Sequence, residues 1–243
     1  MIDGARDPLA ALLVALPWIV PPLVGAWRLR GSRDLAEHPA VVPDRATLVS
    51  VIVPARDEAA NIARCVRSVL GTTWPALEVI VVDDQSRDGT GDIARAIARA
   101  DQRLRVVETA PLPPGWFGKP WACTTGAGEA RGEILLFADA DTTHAPTLLA
   151  RAVRRMDEDR LDMLTVAGHQ ELGSFWERVV QPQVFSFIGV RYGSTERVNG
   201  SRKAADKIAN GQCILVRRAA YDAIGGHGAV RGEVAEDLAL AQR

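Results

Sequence analysis

Asp139 and Asp141 stand one residue apart at the end of the apolar run 134–138. A short apolar run between polar residues predicts a strand that is buried on both faces of a parallel sheet. Open α/β sheets bind ligands at the carboxyl ends of their strands. Two carboxylates at this spacing can reach one Mg²⁺ or Mn²⁺ ion, and Mg²⁺ is typically held by one or two carboxylates plus substrate phosphates. The alternative is a solvated acidic loop, because D-x-D spacing alone is common.

A second acidic pair, Asp83 and Asp84, ends the apolar run 77–82, which predicts another strand. A carboxylate at the end of a strand can accept hydrogen bonds from a ribose hydroxyl or a base N–H. The pair is therefore a candidate nucleoside site.

The residues after this pair have a structural interpretation. Ser86 and Asp88 are typical turn and cap residues, and Asp88 precedes a glycine. Thr90 or Asp92 is predicted to cap the helix that runs to about Ala100.

The predicted strand Leu48–Val53 precedes the acidic strands, and a helix is predicted over Asn61–Leu70. The turn between them, Pro54–Glu58, contains no glycine-rich loop. A dinucleotide-binding domain needs G-x-G-x-x-G here, and a P-loop needs G-x-x-x-x-G-K-[ST]. Their absence counts against a dehydrogenase and an ATPase.

A third strand is predicted over Leu104–Glu108, followed by a proline-rich loop over Pro111–Pro120 and a helix over Trp121–Ala130. Lys119 lies near the end of this loop, where it can meet a diphosphate. The alternative is a solvated surface lysine, which is the commoner fate of a lysine in a loop.

The order of these elements predicts a mostly parallel α/β sheet with helices on both faces. Further elements are predicted downstream: a helix over Pro146–Met156, a strand over Asp162–Ala167, a strand over Gly211–Val216 and a helix over Arg217–Ile224. The chain has 243 residues, 47% of them hydrophobic, which is enough for one large α/β domain with an appendage.

Charge and cysteine content exclude several classes of site. The net charge of −1 indicates no nucleic-acid surface. Cys65, Cys123 and Cys213 form no C-x-x-C pair and no metal-ligand spacing, so we expect a reducing compartment and no zinc site.

Pro8–Trp27 contains 20 residues without a charge, just enough for a helix that crosses a bilayer. Three prolines interrupt it: Pro17, Pro21 and Pro22. Such helices tolerate proline in lipid. The sequence therefore predicts a membrane anchor over residues 1–30, a linker over 31–47 and a catalytic domain over 48–243. A cleaved signal peptide is the alternative for the anchor.

Basic residues follow this segment: Arg28, Arg30 and Arg33. Arg6 precedes it together with two acids, Asp3 and Asp7. The positive-inside rule therefore predicts an inner-membrane protein whose catalytic domain is cytoplasmic.

Ser174–Gly193 is predicted to be a helix broken at Pro182, with an apolar stripe that includes Trp176 and Phe187. Two interpretations stay open: a core-facing helix, or a helix in the membrane interface. Glu196–Asn210 is polar and is predicted to be a mobile loop.

Glu236 and Asp237 lie six residues before the end of the chain. A helix that starts at Glu236 has only about two turns, and Leu238 and Leu240 are too few apolar groups to hold it firmly. We expect this helix to be mobile and the catalytic domain to be truncated at its C-terminus.

Three motifs together resemble family 2 inverting glycosyltransferases. They are Val51–Glu58, Leu77–Asp84 with the Ser86-x-Asp88-Gly89-Thr90 segment, and Ala138–Asp141. Two others, Gly118–Ala122 and Asn210–Arg218, resemble the membrane-bound, hopene-associated branch more narrowly. The Q-x-x-R-W motif of processive synthases is not seen, so processivity is not indicated.

The resemblance implies a GT-A fold, a nucleotide-sugar donor, Mg²⁺ or Mn²⁺, and an acceptor that is lipid or hopanoid-related. It implies a hexosyltransferase-type enzyme that inverts the sugar. It assigns the nucleoside to Pro54, Arg56, Glu58, Asp83 and Asp84. It assigns the metal and diphosphate to Asp139 and Asp141, places Lys119 beside the donor, and makes Asp237 of the Glu236–Asp237 pair the catalytic base.

Elementary chemistry agrees with this mechanism. Displacement at a sugar carbon passes through an oxocarbenium-like state, and the incoming hydroxyl must lose a proton to a general base. Two alternatives stay open: a sugar nucleotidyltransferase, and a catalytically inactive, membrane-tethered nucleotide-sugar binder.

Overall fold

The computed structural model of the chain describes residues 8–32 and 34–243. The larger of two compact units contains Asp34–Gly168 and Ala209–Arg243, and the smaller contains 8–32 with 169–208. The domain boundaries proposed from the sequence stay predictions. Part of the orientation argument rests on residues outside the described part of the chain: Asp3, Arg6, Asp7 and Arg33.

A six-stranded sheet organises the larger unit. Its strands are β1 Val49–Ala55, β2 Leu77–Asp83, β3 Leu104–Glu108, β4 Ile134–Ala138, β5 Met163–Thr165 and β6 Cys213–Arg217. Their order across the sheet is β3-β2-β1-β4-β6-β5. β1 to β4 are parallel, and β6 is antiparallel to both of its neighbours. The predicted mostly parallel sheet is confirmed.

The described part of the chain contains nine α-helices. They are α1 Pro8–Arg28, α2 Ile62–Leu70, α3 Thr90–Ala98, α4 Gly118–Glu129, α5 Leu148–Glu158, α6 Phe175–Tyr192, α7 Thr195–Gly200, α8 Arg218–Ala223 and α9 Glu236–Ala241. Three short 3₁₀ segments accompany them: Leu35–Glu37, Ala204–Asp206 and Gly226–Val230. By length and composition, α1 is the described helix that can cross a membrane.

Helices cover both faces of the sheet because alternate strand residues point to opposite sides. One core contains Val51, Val79 and Leu136, and it packs against α2, α3 and α5. The other contains Ile52 and Ile80, and it packs against α4 and α8. β1, β2 and β4 are buried on both faces, as the apolar runs predicted.

The start of α4 differs from the sequence prediction. The helix begins at Gly118 rather than Trp121, so Lys119 lies in its first turn and not in a loop. Pro120 does not prevent this start, because the first N–H groups of a helix have no helical acceptor in any case. The backbone position of Lys119 is therefore fixed by the helix.

The cap of α3 also differs. Gly89 occupies the N-cap with φ 95°, a left-handed conformation that favours glycine. The side chain of Asp88, rather than Thr90 or Asp92, accepts the Thr90 N–H at 3.0 Å.

Two predictions about the smaller unit are wrong. α6 continues through Pro182 without a break. Pro182 and Arg178 are both exposed, so the carbonyl at residue 178 that loses its helical partner can be solvated. The segment predicted to be a mobile loop contains α7 and a 3₁₀ segment, with an ion pair between Arg191 and Asp206 at 3.3 Å.

A buried carboxylate lies near the amino-terminal ends of the strands, opposite the strand ends that carry the acidic pairs. Glu78 on β2 is 4% exposed, and its carboxylate accepts hydrogen bonds from the Ser50 hydroxyl and from the backbone N–H and guanidinium of Arg131. Burial alone would raise the pKa of Glu78, but these hydrogen bonds outweigh burial and lower it. Glu78 therefore joins β1, β2 and the segment before β4.

Glu78→Gln keeps the shape of the side chain and removes its charge. We expect the free energy of unfolding to fall by about 2 kcal/mol at pH 7 in urea titrations, the scale of hydrogen bonds to a buried charged group. The folded pKa lies below the unfolded value, so this stability is present above about pH 4.3 and is lost as pH falls through the folded pKa. The two proteins should converge once the pH falls below the folded pKa of Glu78.

Glu129→Gln is the control, because Glu129 forms an exposed ion pair with Arg105 at 3.0 Å. Exposed pairs contribute between about 0 and 1 kcal/mol. A Glu78→Gln deficit that does not shrink as pH falls below about 4.3 would contradict the role of the charge.

Candidate active site

The candidate site lies where the strand order changes direction. From β1 the chain adds β2 and β3 on one side, and then places β4 on the other side of β1. Open α/β sheets bind ligands at such switch points, at the carboxyl ends of the strands. Arg56 follows β1, Asp84 follows β2 and Asp139 follows β4, so all three lie at this edge.

The two acids at the end of β2 point to different faces. Asp83 lies on the α3 side, where its Oδ1 accepts the Ser86 N–H at 3.1 Å. Its Oδ2 fills the space above Gly91, where a Cβ atom would lie 2.1 Å from it. Asp83 is thus engaged with the start of α3, while Asp84 lies on the α4 side.

Asp84 is buried and held from two sides. The Thr109 hydroxyl donates to its Oδ1 at 2.8 Å, and Arg56 Nη1 lies 3.4 Å from its Oδ2. A Cβ atom on Gly118 would lie 3.0 Å from the same Oδ2. Asp84 therefore touches the end of β1 and the first residue of α4, with the Arg56 side chain largely exposed.

The loop after β1 is fixed by the loop after β2. Backbone N–H groups of residues 57, 58 and 59 donate to Ser86 Oγ, Thr90 Oγ1 and Asp88 Oδ2 at 2.7–3.1 Å. The interpretation of Ser86 and Asp88 as turn residues is confirmed.

Two other candidate nucleoside residues lie in this region. Glu58 accepts a hydrogen bond from Asn61 Nδ2 at 2.9 Å, at the start of α2. Pro54 lies inside β1, one residue before its end, and is half-buried.

Lys119 joins two carboxylates from distant parts of the chain. Its Nζ lies 2.7 Å from Asp139 Oδ1 and 3.0 Å from Glu236 Oε1. Burial alone would lower the pKa of Lys119, but the two carboxylates outweigh it and raise the pKa above its usual value. Burial raises the pKa of Asp139, and Lys119 opposes that rise. The site is a compact, partly buried ionic cluster.

Asp237 lies beside the same cluster. Its Oδ2 accepts the Gly211 N–H at 2.8 Å, and its Oδ1 accepts the N–H of Leu238 at 2.7 Å. A Cβ atom on Gly211 would lie 3.1 Å from Lys119 Nζ and 3.2 Å from Asp237 Oδ2. The structure therefore brings together Lys119, Asp139, Glu236 and Asp237 at the carboxyl end of β4.

The expectation that α9 is loosely held is wrong. Leu240 is 1% exposed, and Glu236 is 8% exposed and paired with Lys119. Arg243 donates to the Ala229 carbonyl at 2.8 Å. An ion pair with Lys119, more than a hundred positions away, and hydrogen bonds between residues 14 and 26 positions apart hold this short helix. Helical propensity and two leucines did not reveal these contacts.

Asp141 completes the D-x-D pair and is exposed. Among the described residues, no group of three or more His, Cys, Asp and Glu side chains could hold a metal ion by itself. Two carboxylate donors still fit a hard cation that takes its other ligands from a bound phosphate and water, as Mg²⁺ commonly does. Asp139 and Asp141 therefore fit a metal shared with a substrate.

A buried aromatic pair supports the α4 side of the sheet. The Tyr221 hydroxyl lies 2.9 Å from His227 Nδ1 and accepts the His227 backbone N–H at 3.1 Å. The edge of His227 packs against Phe137 of β4, with ring centroids 4.5 Å apart. Burial, with a smaller contribution from Lys119, lowers the pKa of His227 to about 3.

Sequence reasoning missed several residues of the site. Thr109 follows β3 at the same edge as Asp84, so its position after a strand was a usable signal. Gly211 is the first residue of a predicted strand, but its contact with Asp237 joins positions 26 residues apart. Tyr221 and His227 belong to no motif that sequence reasoning recognised.

The fold and site define a class: α/β proteins with an ionic cluster of carboxylates and one lysine at the switch point of the sheet. The family described as Glycosyl transferase family 2 matches residues 50–225. The chain belongs to this family.

Individual relatives agree with this assignment. Glycosyltransferase AglE of Haloferax volcanii is 35% identical over 118 residues, which cover 48% of this chain and 38% of that protein. The 4,4'-diaponeurosporenoate glycosyltransferase of Staphylococcus haemolyticus is 24% identical over 196 residues, covering 79% of this chain and 50% of that protein. The chain thus spans about half the length, or less, of these relatives.

The fold agrees with a solved glycosyltransferase. Mannosyltransferase PcManGT from Pyrobaculum calidifontis, solved in complex with GDP-Man and Mn²⁺, matches with a TM-score of 0.63 and 24% identity. The match covers 95% of this chain and 61% of that chain. The expected GT-A fold is confirmed.

His227→Gln should reduce the acid sensitivity of folding. Because the folded pKa lies below the unfolded value, the unfolded chain takes up the proton first, so stability is lost as pH falls from about 6.5 toward 3. His227 should account for a loss of about 2 kcal/mol between pH 7 and pH 5 in urea titrations. The His227→Gln variant should not show this loss of stability.

His169→Gln is the matched control, because His169 is exposed. It should lose stability with pH as the wild type does. Equal pH slopes for wild type and His227→Gln would contradict a buried neutral His227.

Proposed function

We propose that the chain transfers a sugar, with inversion, from a nucleotide-sugar donor to an acceptor hydroxyl. The observation that carries the proposal is the position of Lys119, which lies between Asp139 and Glu236 at the switch point of the sheet. A lysine at this point offers its charge to a diphosphate, and Asp237 beside it offers a base. Membership of glycosyl transferase family 2 supports this reaction class.

The donor is proposed to lie across the start of α4. Its nucleoside is placed against Arg56 and Asp84, and its diphosphate near Lys119. The contact between Gly118 and Asp84 supports this arrangement, because it joins the two subsites through adjacent residues of one helix. Pro54 near the end of β1, Asp83 at the end of β2 and Glu58 in the loop after β1 are proposed to shape this subsite, with Asp83 supporting α3. The GDP-Man complex of PcManGT supports a nucleotide sugar as donor.

Asp139 and Asp141 are proposed to hold Mg²⁺ or Mn²⁺ together with the donor diphosphate. When bound, such an ion supplies positive charge that stabilises the departing diphosphate. Lys119 adds a fixed positive charge on the same leaving group, since it is anchored in the first turn of α4.

Asp237 is proposed as the general base. It removes the proton of the acceptor hydroxyl while that oxygen forms a bond to the sugar carbon and the bond to the diphosphate breaks. The N–H groups of Gly211 and Leu238 fix the orientation of its carboxylate. Glu236 is proposed to position Lys119 through their ion pair.

The acceptor is proposed to be a lipid or a lipid-linked hydroxyl, with a hopanoid as the class that the sequence motifs imply. Exposed apolar side chains support this choice: Leu112, Phe117 and Val234. The Phe117 N–H donates to the Arg231 carbonyl at 2.8 Å. The segment before Lys119, which carries Phe117, therefore meets the segment before Asp237, which carries Val234.

The location is proposed to be the inner membrane, with α1 as the anchor and the larger unit in the cytoplasm. α1 has 21 residues, of which Gly25 alone is buried among those described. A helix of this length and surface is compatible with a bilayer core of about 30 Å.

A release assay tests the proposed reaction. The full chain is incubated with a panel of nucleotide sugars, with and without a membrane-lipid extract as acceptor source. A glycosyltransferase yields nucleoside diphosphate, a sugar nucleotidyltransferase yields pyrophosphate, and an inactive binder yields neither. Lipid-dependent release of nucleoside diphosphate supports the proposal, and pyrophosphate or no product overturns it.

Asp141→Ala should abolish turnover, because it removes the exposed ligand of the metal site. Chelator should have the same effect on the wild type, and added Mg²⁺ or Mn²⁺ should restore activity. Asp139→Ala should also be severe, since it additionally breaks the ion pair with Lys119. Undiminished turnover in excess chelator would refute the metal site.

Asp237→Asn should lower transfer by roughly a hundredfold or more while donor affinity is retained, the scale of losing a general base. Calorimetric titration with nucleoside diphosphate measures affinity, and the release assay measures turnover. Glu233→Gln, an exposed acid in the same segment, should change neither. A collapse of donor affinity would make Asp237 a binding or structural residue instead.

A further inference from the structure

α6 carries an apolar stripe that no described residue covers. Trp176, Val180, Val184, Phe187 and Ile188 recur every three or four residues after Trp176, so they lie along one side of the helix. Their exposed fractions range from 38% to 70%. A stripe of large apolar side chains in contact with water is costly, at roughly 25 cal/mol per Å².

The stripe is not the side of α6 that packs against α1. That contact is made where the two backbones approach closely. A Cβ atom on Gly25 would lie 2.8 Å from the Ser186 carbonyl oxygen, and one on Gly189 would lie 3.0 Å from Leu29 Cδ1. α6 therefore presents small residues to α1 and large apolar residues elsewhere.

Two features indicate the partner of the stripe: the positive charge of the smaller unit, and the contact between α6 and the apolar helix α1. The described part of the smaller unit has eight lysine and arginine residues against four aspartate and glutamate residues, whereas the larger unit has 19 against 24. Exposed cations follow the helix: Arg197, Arg202 and Lys203. Arg191, in its last turn, is exposed and paired with Asp206. Cationic residues beside Trp and Phe side chains are typical of helices in the interface of anionic membranes.

We propose that α6 lies in the membrane interface beside α1, with the stripe in contact with acyl chains and the cations in contact with anionic headgroups. α1 has a lipid-compatible surface, and α6 carries the stripe. Because the two helices are in direct contact, one bilayer can accommodate both. This inference rests on the proposed anchoring by α1, and its test separates the two.

The test uses single cysteines carrying an environment-sensitive fluorophore on the full chain in phospholipid vesicles that contain nitroxide-labelled lipid. Val184→Cys reports the stripe, and Arg178→Cys is the matched control, about 120° away around the same helix. Val14→Cys reports α1. The native cysteines are buried, and wild type treated with the same fluorophore provides the background.

We expect several-fold stronger quenching at position 184 than at position 178 in vesicles with anionic lipid, and a smaller difference in neutral vesicles. Equal quenching at 184 and 178, with position 14 quenched, would overturn the role of α6 and leave α1 as an anchor. Position 14 unquenched would overturn the anchoring proposal itself. Disulfide formation between two copies of unlabelled Val184→Cys, without lipid quenching of the labelled variant, would assign the stripe to a second copy and refute the inference.

Discussion

The ion pairs of Lys119 are the interaction on which the candidate site depends. They join the first turn of α4, the end of β4 and the start of α9, which are otherwise far apart in the sequence. Without this cation, Asp139 and Glu236 would be two carboxylates in one partly buried space, an arrangement that disfavours the charged form of either. One side chain therefore sets the charge of the site and also helps to hold a helix of six residues in place.

The two-residue period of a strand decides which acids belong to the site. Asp83 and Asp84 are chemically identical, but α3 engages the first and Thr109 and Arg56 surround the second. By the same period, Asp139 lies on the α4 side, within reach of Lys119. The position of each acid along its strand therefore decides whether its side chain lies on the α3 side or the α4 side of the sheet. The motifs do not distinguish these acids.

The sequence was sufficient for the elements with strong local patterns, including β1 to β4 and the turn residues Ser86 and Asp88. It was less reliable where tertiary contacts override local preference. α4 starts three residues earlier than the loop composition suggested. α6 continues through Pro182, because the carbonyl that loses its helical hydrogen bond lies in an exposed part of the helix and can be solvated. Gly211 and His227 act through contacts with residues distant in the chain, and no single-sequence pattern encodes those.

The balance of charge in the site bears on how a diphosphate can bind there. Asp139, Asp141, Glu236 and Asp237 are four carboxylates. The described contacts place Lys119 against Asp139 and Glu236, and Arg64 against the Asp141 carbonyl at 3.4 Å. Two hydrogen-bonding positions of Lys119 already face Asp139 and Glu236. A diphosphate adds further negative charge to this space, and like charges at such distances oppose binding. Under the proposed donor assignment, a divalent cation held by Asp139 and the exposed Asp141 would relieve that repulsion, because it would neutralise the acids and the diphosphate together. The charge balance of the site therefore favours the proposed metal-dependent donor site.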